Sequence, residues 1–370
     1  MTINKKWIVL AALAFATSLQ AQILIGQTAG FTGAVAAGVK ETADGAKLYI
    51  NAVNAKGGVN GQKIELISMD DKFEPKIAAD NARILIEEKN VMALFLTRGT
   101  PHTEAILPLL DKNGVPLIAP STGAMVLHQP VKKYVFNVRA TYQREAEKAV
   151  MHLGTLDIKR IALVYTDDSF GADGVLGAQK GLAATKLEAV VNEKFDRSKP
   201  DFSKIVPKII ATDAQAVIMI ASGSAVVAGI TALRTAGSGA QVVTLSNNAS
   251  GGFIKSLAER GPGVVVTQVF PNERAISYSF IKEAQDLLKD GKDAPSLSPA
   301  MLEGFAAAKV LVEALKRSGP SPTRAKLQAS LDNMKKYDMG GLEISFSPTD
   351  HTGLDFADLS IISSDGKFKR

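Results

Sequence analysis

Four short polar turns contain the residues of this sequence that are best suited to contact another molecule. Each turn follows a short apolar run and combines hydroxyl, amide or guanidinium side chains with small residues, at 97–100, 120–123, 222–224 and 246–248. Hydroxyl groups donate to carboxylates and accept from amines, and glycines let a molecule approach backbone N–H groups. One such turn is typical of a helix cap, but four of them predict a site that binds by hydrogen bonds.

The sequence has no recognisable set of catalytic residues. Its four histidines are far apart, and no G-x-S-x-G motif occurs. The aspartate pairs at 70–71 and 167–168 consist of adjacent residues, whose side chains point in different directions, so we predict turn and capping roles for them. The glycine-rich segment 26–33 lacks the Gly-Lys-Ser/Thr ending of a phosphate loop. We therefore expect no enzyme, no cofactor and no metal site, and a nucleotide-dependent enzyme is a weak alternative.

Short apolar strands alternate with amphipathic helices along the whole chain after residue 22. The pattern starts with a strand at 23–28 and a helix from Val39 to Val53, and it restarts after 135–139 with a buried strand at 161–165. Strands that alternate with helices at this spacing predict parallel sheets covered on both faces. The number of units predicts two lobes, and the helical block from 280 to 331 suggests that the chain returns to its first lobe.

Composition and the N-terminus predict an exported protein. The 370 residues carry a net charge of +6 that is spread along the chain, so no nucleic-acid surface is expected. Lys5 and Lys6 precede a short apolar run, Ile8 to Leu19, which suits a secretory signal peptide at 1–21; cleavage after Ser18 is an alternative. The sequence has no cysteine, which excludes disulfides and a lipid-bearing cysteine. We expect a freely soluble periplasmic protein.

Several segments resemble a known family over nearly the whole chain after residue 22. The most specific is NAKGGVNG at 54–61, and further similarity lies at 115–122 (VPLIAPST), 160–164, 201–203 and 303–307. These segments resemble the leucine/isoleucine/valine-binding protein family, which are type I periplasmic solute-binding proteins of ABC transporters.

The resemblance implies an α/β fold of two Rossmann-like lobes with parallel central sheets, joined by a hinge of three chain crossings near Arg139, Gln268 and Ser347. Lobe 1 would comprise 22–139 and 268–347, and lobe 2 would comprise 140–267 and 348–370. The family implies the binding component of an ABC importer of the branched-chain amino acid type. Its partners would be a small-molecule ligand and permease subunits, and a monomer is expected. A ligand-sensing protein for a receptor or two-component system is the alternative.

The family's ligand contacts fall on residues of the polar turns. In lobe 1, Thr100 would bind an amino-acid carboxylate, Ser121 would supply a backbone carbonyl, and Gly123 or the adjacent Thr122 would contact the head group. In lobe 2, Phe170 would cover the ligand, and the remaining wall position would be that of Ser222.

Two positions depart from the family pattern. Ser246 falls where the amino-acid binders have an acidic residue, so we expect no carboxylate nearby to pair with an ammonium group, and an unpaired buried ammonium is costly. Arg98 either favours an anion that lacks an amine or points to solvent. The first expectation is a small carboxylate, aromatic or aliphatic, and the second is another amino acid.

Overall fold

The computed structural model describes residues 22–289 and 296–370, so the predicted signal peptide lies outside the described residues. The strands of this part of the chain are β1 Ile23–Ala29, β2 Ile64–Asp70, β3 Ala93–Phe95, β4 Leu117–Ile118, β5 Val135–Phe136, β6 Ile161–Thr166, β7 Ala189–Phe195, β8 Ala216–Ile220, β9 Gln241–Thr244, β10 Val265–Gln268, β11 Tyr337–Asp338, β12 Glu343–Ile344, β13 Asp358–Ile362 and β14 Phe368–Lys369. The helices are α1 Ala36–Ala55, α2 Pro75–Arg83, α3 Thr100–Asn113, α4 Tyr142–Thr155, α5 Ser169–Thr185, α6 Ile205–Ala211, α7 Ser224–Thr235, α8 Gly251–Leu257, α9 Ser279–Lys289, α10 Pro299–Arg317 and α11 Arg324–Asp332.

The first lobe is built on a five-stranded parallel sheet in the order β2-β1-β3-β4-β5. Apolar residues of α1, α9, α10 and α11 pack on one face, and those of α2 and α3 pack on the other. Helices α1 and α10 come into contact through glycines, because a Cβ at Gly304 would lie 1.8 Å from the Thr42 carbonyl oxygen. The late helical block thus packs against the first sheet.

The second lobe is built on a seven-stranded sheet in the order β14-β13-β10-β9-β8-β6-β7. Strands β6 to β10 are parallel, whereas β13 and β14 are antiparallel additions at one edge. The start of β13 pairs with the end of β10, Asp358 with Gln268. The chain leaves this lobe at the end of β10 and re-enters beside it, so β13 must run the opposite way. The predicted class, two α/β lobes with parallel central strands, is confirmed.

The chain passes between the two sheets three times, after Phe136, after Gln268 and between Ile344 and Asp358. The lobe boundaries at 139, 268 and 347 stay a prediction. Strand β12 pairs only with β11, in a separate two-stranded ribbon.

The aspartate pairs have the predicted turn and capping roles. Asp168 accepts hydrogen bonds from the backbone N–H groups of Phe170 at 3.0 Å and Gly171 at 3.1 Å, so α5 begins at Ser169. Asp71 accepts from Phe73 N–H at 2.8 Å and closes the turn after β2.

Candidate functional site

The turns that follow β3 and β4 bring Arg98 and Ser121 together at the carboxyl edge of the first sheet. The two residues form an isolated parallel bridge, and the Arg98 Nη1 donates to Ser121 Oγ at 2.9 Å. The Arg98 Nη2 donates to the backbone oxygen of Asn247, in the second lobe, at 2.6 Å. Arg98 is only 5% exposed, so its side chain lies between the lobes and not in solvent.

Thr100 and Thr122 also meet at this edge. Their hydroxyls are 2.8 Å apart and both side chains are buried. Gly123 lies beside them and its backbone oxygen accepts from the N–H of Tyr142 at 2.8 Å. A Cβ at Gly123 would lie 2.6 Å from the Ala140 oxygen, so the chain needs glycine there.

The second lobe contributes Ser222 and the short helical turn Ser246–Asn248. Asn247 Nδ2 donates to Ser222 Oγ at 2.8 Å, while its backbone oxygen holds Arg98. Ser222, Asn247, Arg98 and Ser121 therefore form one hydrogen-bonded chain from lobe to lobe. The sequence pointed to the turn that contains Asn247, but not to this residue.

The lobes also touch directly at Gly223, which has a φ of +53°. The adjacent Ser224 N–H donates to the Ala34 oxygen at 3.1 Å, and a Cβ at Gly223 would lie 1.9 Å from that oxygen. Glu41 of α1 accepts from the N–H groups of Gly251 and Gly252 at 3.0 and 2.8 Å, which joins the lobes a second time. These contacts describe a closed arrangement.

Phe170 packs in the apolar core of the second lobe. Its ring meets the Tyr142 ring edge-on, with centroids 4.8 Å apart, and the Arg197 guanidinium lies 5.8 Å from it. The same guanidinium lies 5.0 Å from the ring of Phe73 in the first lobe, so Arg197 stacks between two aromatic rings. Phe170 thus reaches the inter-lobe contact through Arg197, which the sequence reasoning missed.

The expectation that no carboxylate lies near Ser246 is wrong. Glu145 of α4, which is fully buried, accepts from the Ser246 N–H at 2.9 Å and from the Thr267 hydroxyl. Residue 145 is a hundred positions away in sequence, so only the fold brings the two together.

Glu145 is already paired with Arg139, whose guanidinium also donates to Ser246 Oγ at 2.6 Å. A second carboxylate, that of Glu303, lies 3.7 Å from the Arg139 Nη1. Burial is the largest single effect and lowers the pKa of Arg139, but the negative charges of Glu145 and Glu303 and the hydrogen bond to Glu145 act together with Tyr142 to raise it overall. The charge on Glu145 is therefore neutralised within the protein.

His102 occupies the third position of α3 and stacks on the ring of Phe73, 4.3 Å between centroids. Both ring nitrogens are buried without a hydrogen-bond partner among the described residues. Burial lowers the pKa of His102 to about 4, and the charges of Arg197 and Arg98 act in the same direction. His102 is therefore neutral at physiological pH.

A cavity of about 330 Å³ lies between the lobes beside Arg98. Its wall consists of the start of α1, the start of α7, the turn after β9 and the start of α8: Gly33, Ala34, Val35, Ala36, Ala37, Gly38, Arg98, Gly223, Ser224, Val227, Asn247, Asn248, Ser250, Gly252, Phe253 and Ser256. Arg98 is the single charged residue in this wall. A void of about 10 Å³ on its other side, next to Gln27 and Ser121, is about the size of one water.

The eight predicted site residues are thus partly brought together. Hydrogen bonds link four of them in two pairs, Arg98 with Ser121 and Thr100 with Thr122, and Ser222 joins the first pair through Asn247. Ser246 belongs to the Arg139 network, and Phe170 and Gly123 contact Tyr142. Of the eight, Arg98 alone borders the 330 Å³ cavity.

Within residues 22–289 and 296–370, no group of three or more histidine, aspartate or glutamate side chains is arranged to hold a metal ion. In the same part of the chain, no helix combines the length and apolar character needed to cross a membrane.

The comparison with known families decides what this architecture is. A model of the periplasmic binding protein family matches residues 22–364. The chain belongs to this family. The predicted resemblance to its leucine/isoleucine/valine-binding members is confirmed, since relatives of that name match the chain. Members of the family are substrate-binding proteins, so the chain is a binding protein and not an enzyme.

The Leu/Ile/Val-binding protein BraC3 of Rhizobium johnstonii is 30% identical over 207 residues, which is 54% of each chain. This chain thus spans about half the length of that relative. The Leu/Ile/Val-binding protein homolog 3 of Brucella melitensis is 25% identical over 92% of this chain and 91% of its own. Among solved structures, a possible leucine/isoleucine/valine-binding protein from Rhodopirellula baltica SH 1 superposes with a TM-score of 0.88. It is 25% identical, and the match covers 96% of this chain and 98% of that one.

The family implies a periplasmic binding protein.

Proposed function

We propose that this chain is the periplasmic binding component of an ABC importer of the branched-chain amino acid type. It binds a small carboxylate or amino-acid-like solute between its lobes and presents the closed complex to permease subunits. The mature protein is a freely soluble monomer after removal of residues 1–21. Its lobes are 22–139 with 268–347, and 140–267 with 348–370.

The observation that carries the proposal is the hydrogen-bonded chain through Arg98, which joins two separately folded lobes around a cavity. Because the lobes have separate sheets, they can rotate about the three crossings as rigid bodies. A solute drives this rotation only by binding the closed form more tightly than the open one. The remaining predicted contacts, Thr100, Thr122, Gly123, Phe170 and Ser222, do not border this cavity, and their contact with the solute stays a prediction.

Two measurements test the proposal. Small-angle scattering of the purified protein should show a smaller radius of gyration when a carboxylate or amino acid that raises its melting temperature is added. Deletion of the gene should abolish uptake of that solute when it is radiolabelled. Closure without any loss of uptake would instead favour a sensing role, and absence of closure with every bound solute would reject the two-lobe binding mechanism.

A further inference from the structure

Arg98 carries a positive charge that the protein does not neutralise. Its two Nη atoms donate to neutral oxygens, the hydroxyl of Ser121 and the backbone of Asn247. In the described part of the chain, no carboxylate oxygen lies within 4 Å of its guanidinium. Removing a guanidinium from water without an ionic partner is expensive, so the folded protein holds this charge for something that is not part of the chain.

The cavity beside Arg98 adds to this positive potential. The wall has no acidic residue, and it contains the amino-terminal ends of α1 and α7, neither of which has a side-chain cap. A helix N-terminus has a partial positive charge that favours an anion. Glu41 lies outside this wall, and its carboxylate is occupied by the N–H groups of Gly251 and Gly252 and by the Ser298 hydroxyl.

The same wall offers no carboxylate to pair with an ammonium group. The candidate acid is Glu145, and its two oxygens already accept from Arg139, the Ser246 N–H and the Thr267 hydroxyl. It is fully buried in this network. A ligand ammonium at this end of the cavity would have to compete with Arg139 for the charge, or remain unpaired at a large cost in free energy.

The rest of the wall is uncharged: its apolar part consists of Val35, Val227 and Phe253 with small alanine side chains, and its polar part consists of serine and asparagine side chains. A volume of about 330 Å³ is at the lower end of the range for small-molecule sites. The space therefore suits one charged head group on Arg98 and a short apolar body.

On these grounds, and resting on the proposed solute-binding function, we infer that the ligand is a small organic anion that carries no ammonium group. Its carboxylate pairs with Arg98 and its aliphatic or aromatic body lies against Val35, Val227 and Phe253. Arg98 is thereby the residue that selects amine-free acids over amino acids.

Matched ligand pairs test the inference, since the two members differ mainly in the ammonium group. Calorimetry at neutral pH would compare 4-methyl-2-oxopentanoate with leucine and phenylpyruvate with phenylalanine. The amine-free member of at least one pair should bind at least tenfold more tightly, about the effect of one unpaired polar group. An amino acid that binds as tightly as its amine-free analogue would overturn the inference, while closure around that amino acid would leave the proposed function standing.

Substitutions at Arg98 test the same point. Arg98→Met should weaken binding of the preferred acid about a hundredfold, the loss expected for two charge-assisted hydrogen bonds. Arg98→Lys should retain part of the affinity, and the matched control Arg83→Met, at an exposed arginine paired with Glu88, should retain all of it.

The ligand-free proteins provide a second measurement that needs no ligand. Arg98→Met should melt at or above the wild-type temperature, because it removes a charge without an ionic partner. A clear fall in melting temperature would show that Arg98 is structural and would overturn the inference. If no member of either pair binds or changes the scattering radius, the inference fails, whereas the proposed function fails only if no other carboxylate or amino acid causes closure.

Discussion

Two buried arginines follow strands of the same sheet, Arg98 after β3 and Arg139 after β5, and they meet very different surroundings. Arg139 has two carboxylates within 4 Å, those of Glu145 and Glu303. Among the described residues, Arg98 has only neutral oxygens as partners, one of them supplied by the other lobe. Both side chains are at least 95% buried.

The difference separates a charge that holds the protein together from one that is available for binding. A buried ion pair with satisfied hydrogen bonds resists the removal of either member, because the other charge is then left alone. A buried charge with neutral partners gains most from an external counter-ion. The two residues are of the same type and are similarly buried, so they differ only in whether nearby carboxylates neutralise their charge.

The largest expected effect is on the stability of the Arg139 network. Arg139→Met leaves Glu145 buried without its counter-charge, and it should lower the free energy of unfolding by about 3–5 kcal/mol. Urea denaturation of the ligand-free protein measures this. The double variant Arg139→Met with Glu145→Gln should recover much of the loss, since neither charge remains. If Arg139→Met were as stable as wild type, Arg139 would have no greater structural role than Arg98.

The next effect is acid sensitivity, because each arginine has a buried histidine nearby. Burial lowers the pKa of His102 and of His128 from 6.5 to about 4, and Arg98 and Arg139 respectively add to the lowering. Unfolded histidines take up protons below pH 6.5, whereas these rings do so only near pH 4. Between pH 6.5 and 4 the unfolded state therefore binds more protons than the folded state. The free energy of unfolding should fall over this range as the pH is lowered, by about 3 kcal/mol per histidine.

Urea titrations at pH 7, 6 and 5 would measure that loss, and His102→Phe should make the pH dependence shallower. Asp71 acts in the opposite direction between pH 6 and 4, since burial raises the pKa of its carboxyl to about 6. The contribution of His102 is therefore the difference between the pH dependence of wild type and that of His102→Phe, and the wild-type curve alone does not give it. An unchanged slope in His102→Phe would mean that the ring titrates normally in the folded protein.

A smaller effect on ligand binding is expected at the contact between Gly223 and Ala34, which holds the lobes together beside the hydrogen bond from Arg98 to Asn247. Gly223→Ala places a Cβ against the Ala34 oxygen, so it should weaken ligand binding about tenfold, on the order of 1.4 kcal/mol. Gly237→Ala is the matched control: it also has a positive φ, +78°, but nothing lies within 4 Å of its Cβ position. Both should lose about 1–2 kcal/mol of stability to backbone strain. Equal affinities in calorimetry would count against the contact at Gly223.

The smallest effect is the ligand-free stability of Arg98→Met, which should equal that of wild type or exceed it by up to about 1 kcal/mol. The same variant should raise the pKa of His102, because a positive charge is removed, and should leave that of His128 unaffected. Imidazole resonances followed by NMR between pH 3.5 and 7 would measure both values. An equal change at the two histidines would show that Arg98 does not act locally.

Much of the fold was readable from sequence because its signals are local. Strands such as β6 and β8 are continuous apolar runs, and helix starts such as that of α2 carry a proline at the first turn. These patterns depend on residues within a few positions of each other. The antiparallel direction of β13 has no such signal, since it follows from where the chain re-enters the second lobe.

The sequence by itself determined the alternation of strands and helices, the family resemblance and the polar turns that contain Arg98 and Ser246. Only the tertiary structure decided how those charges are balanced. Glu145 contacts Ser246 from a hundred residues away, and Glu303 contacts Arg139 from a distant helix, whereas no acid in 22–289 or 296–370 pairs with Arg98. Electrostatic pairing depends on distances of a few ångströms in space, and spacing along the chain does not encode those distances.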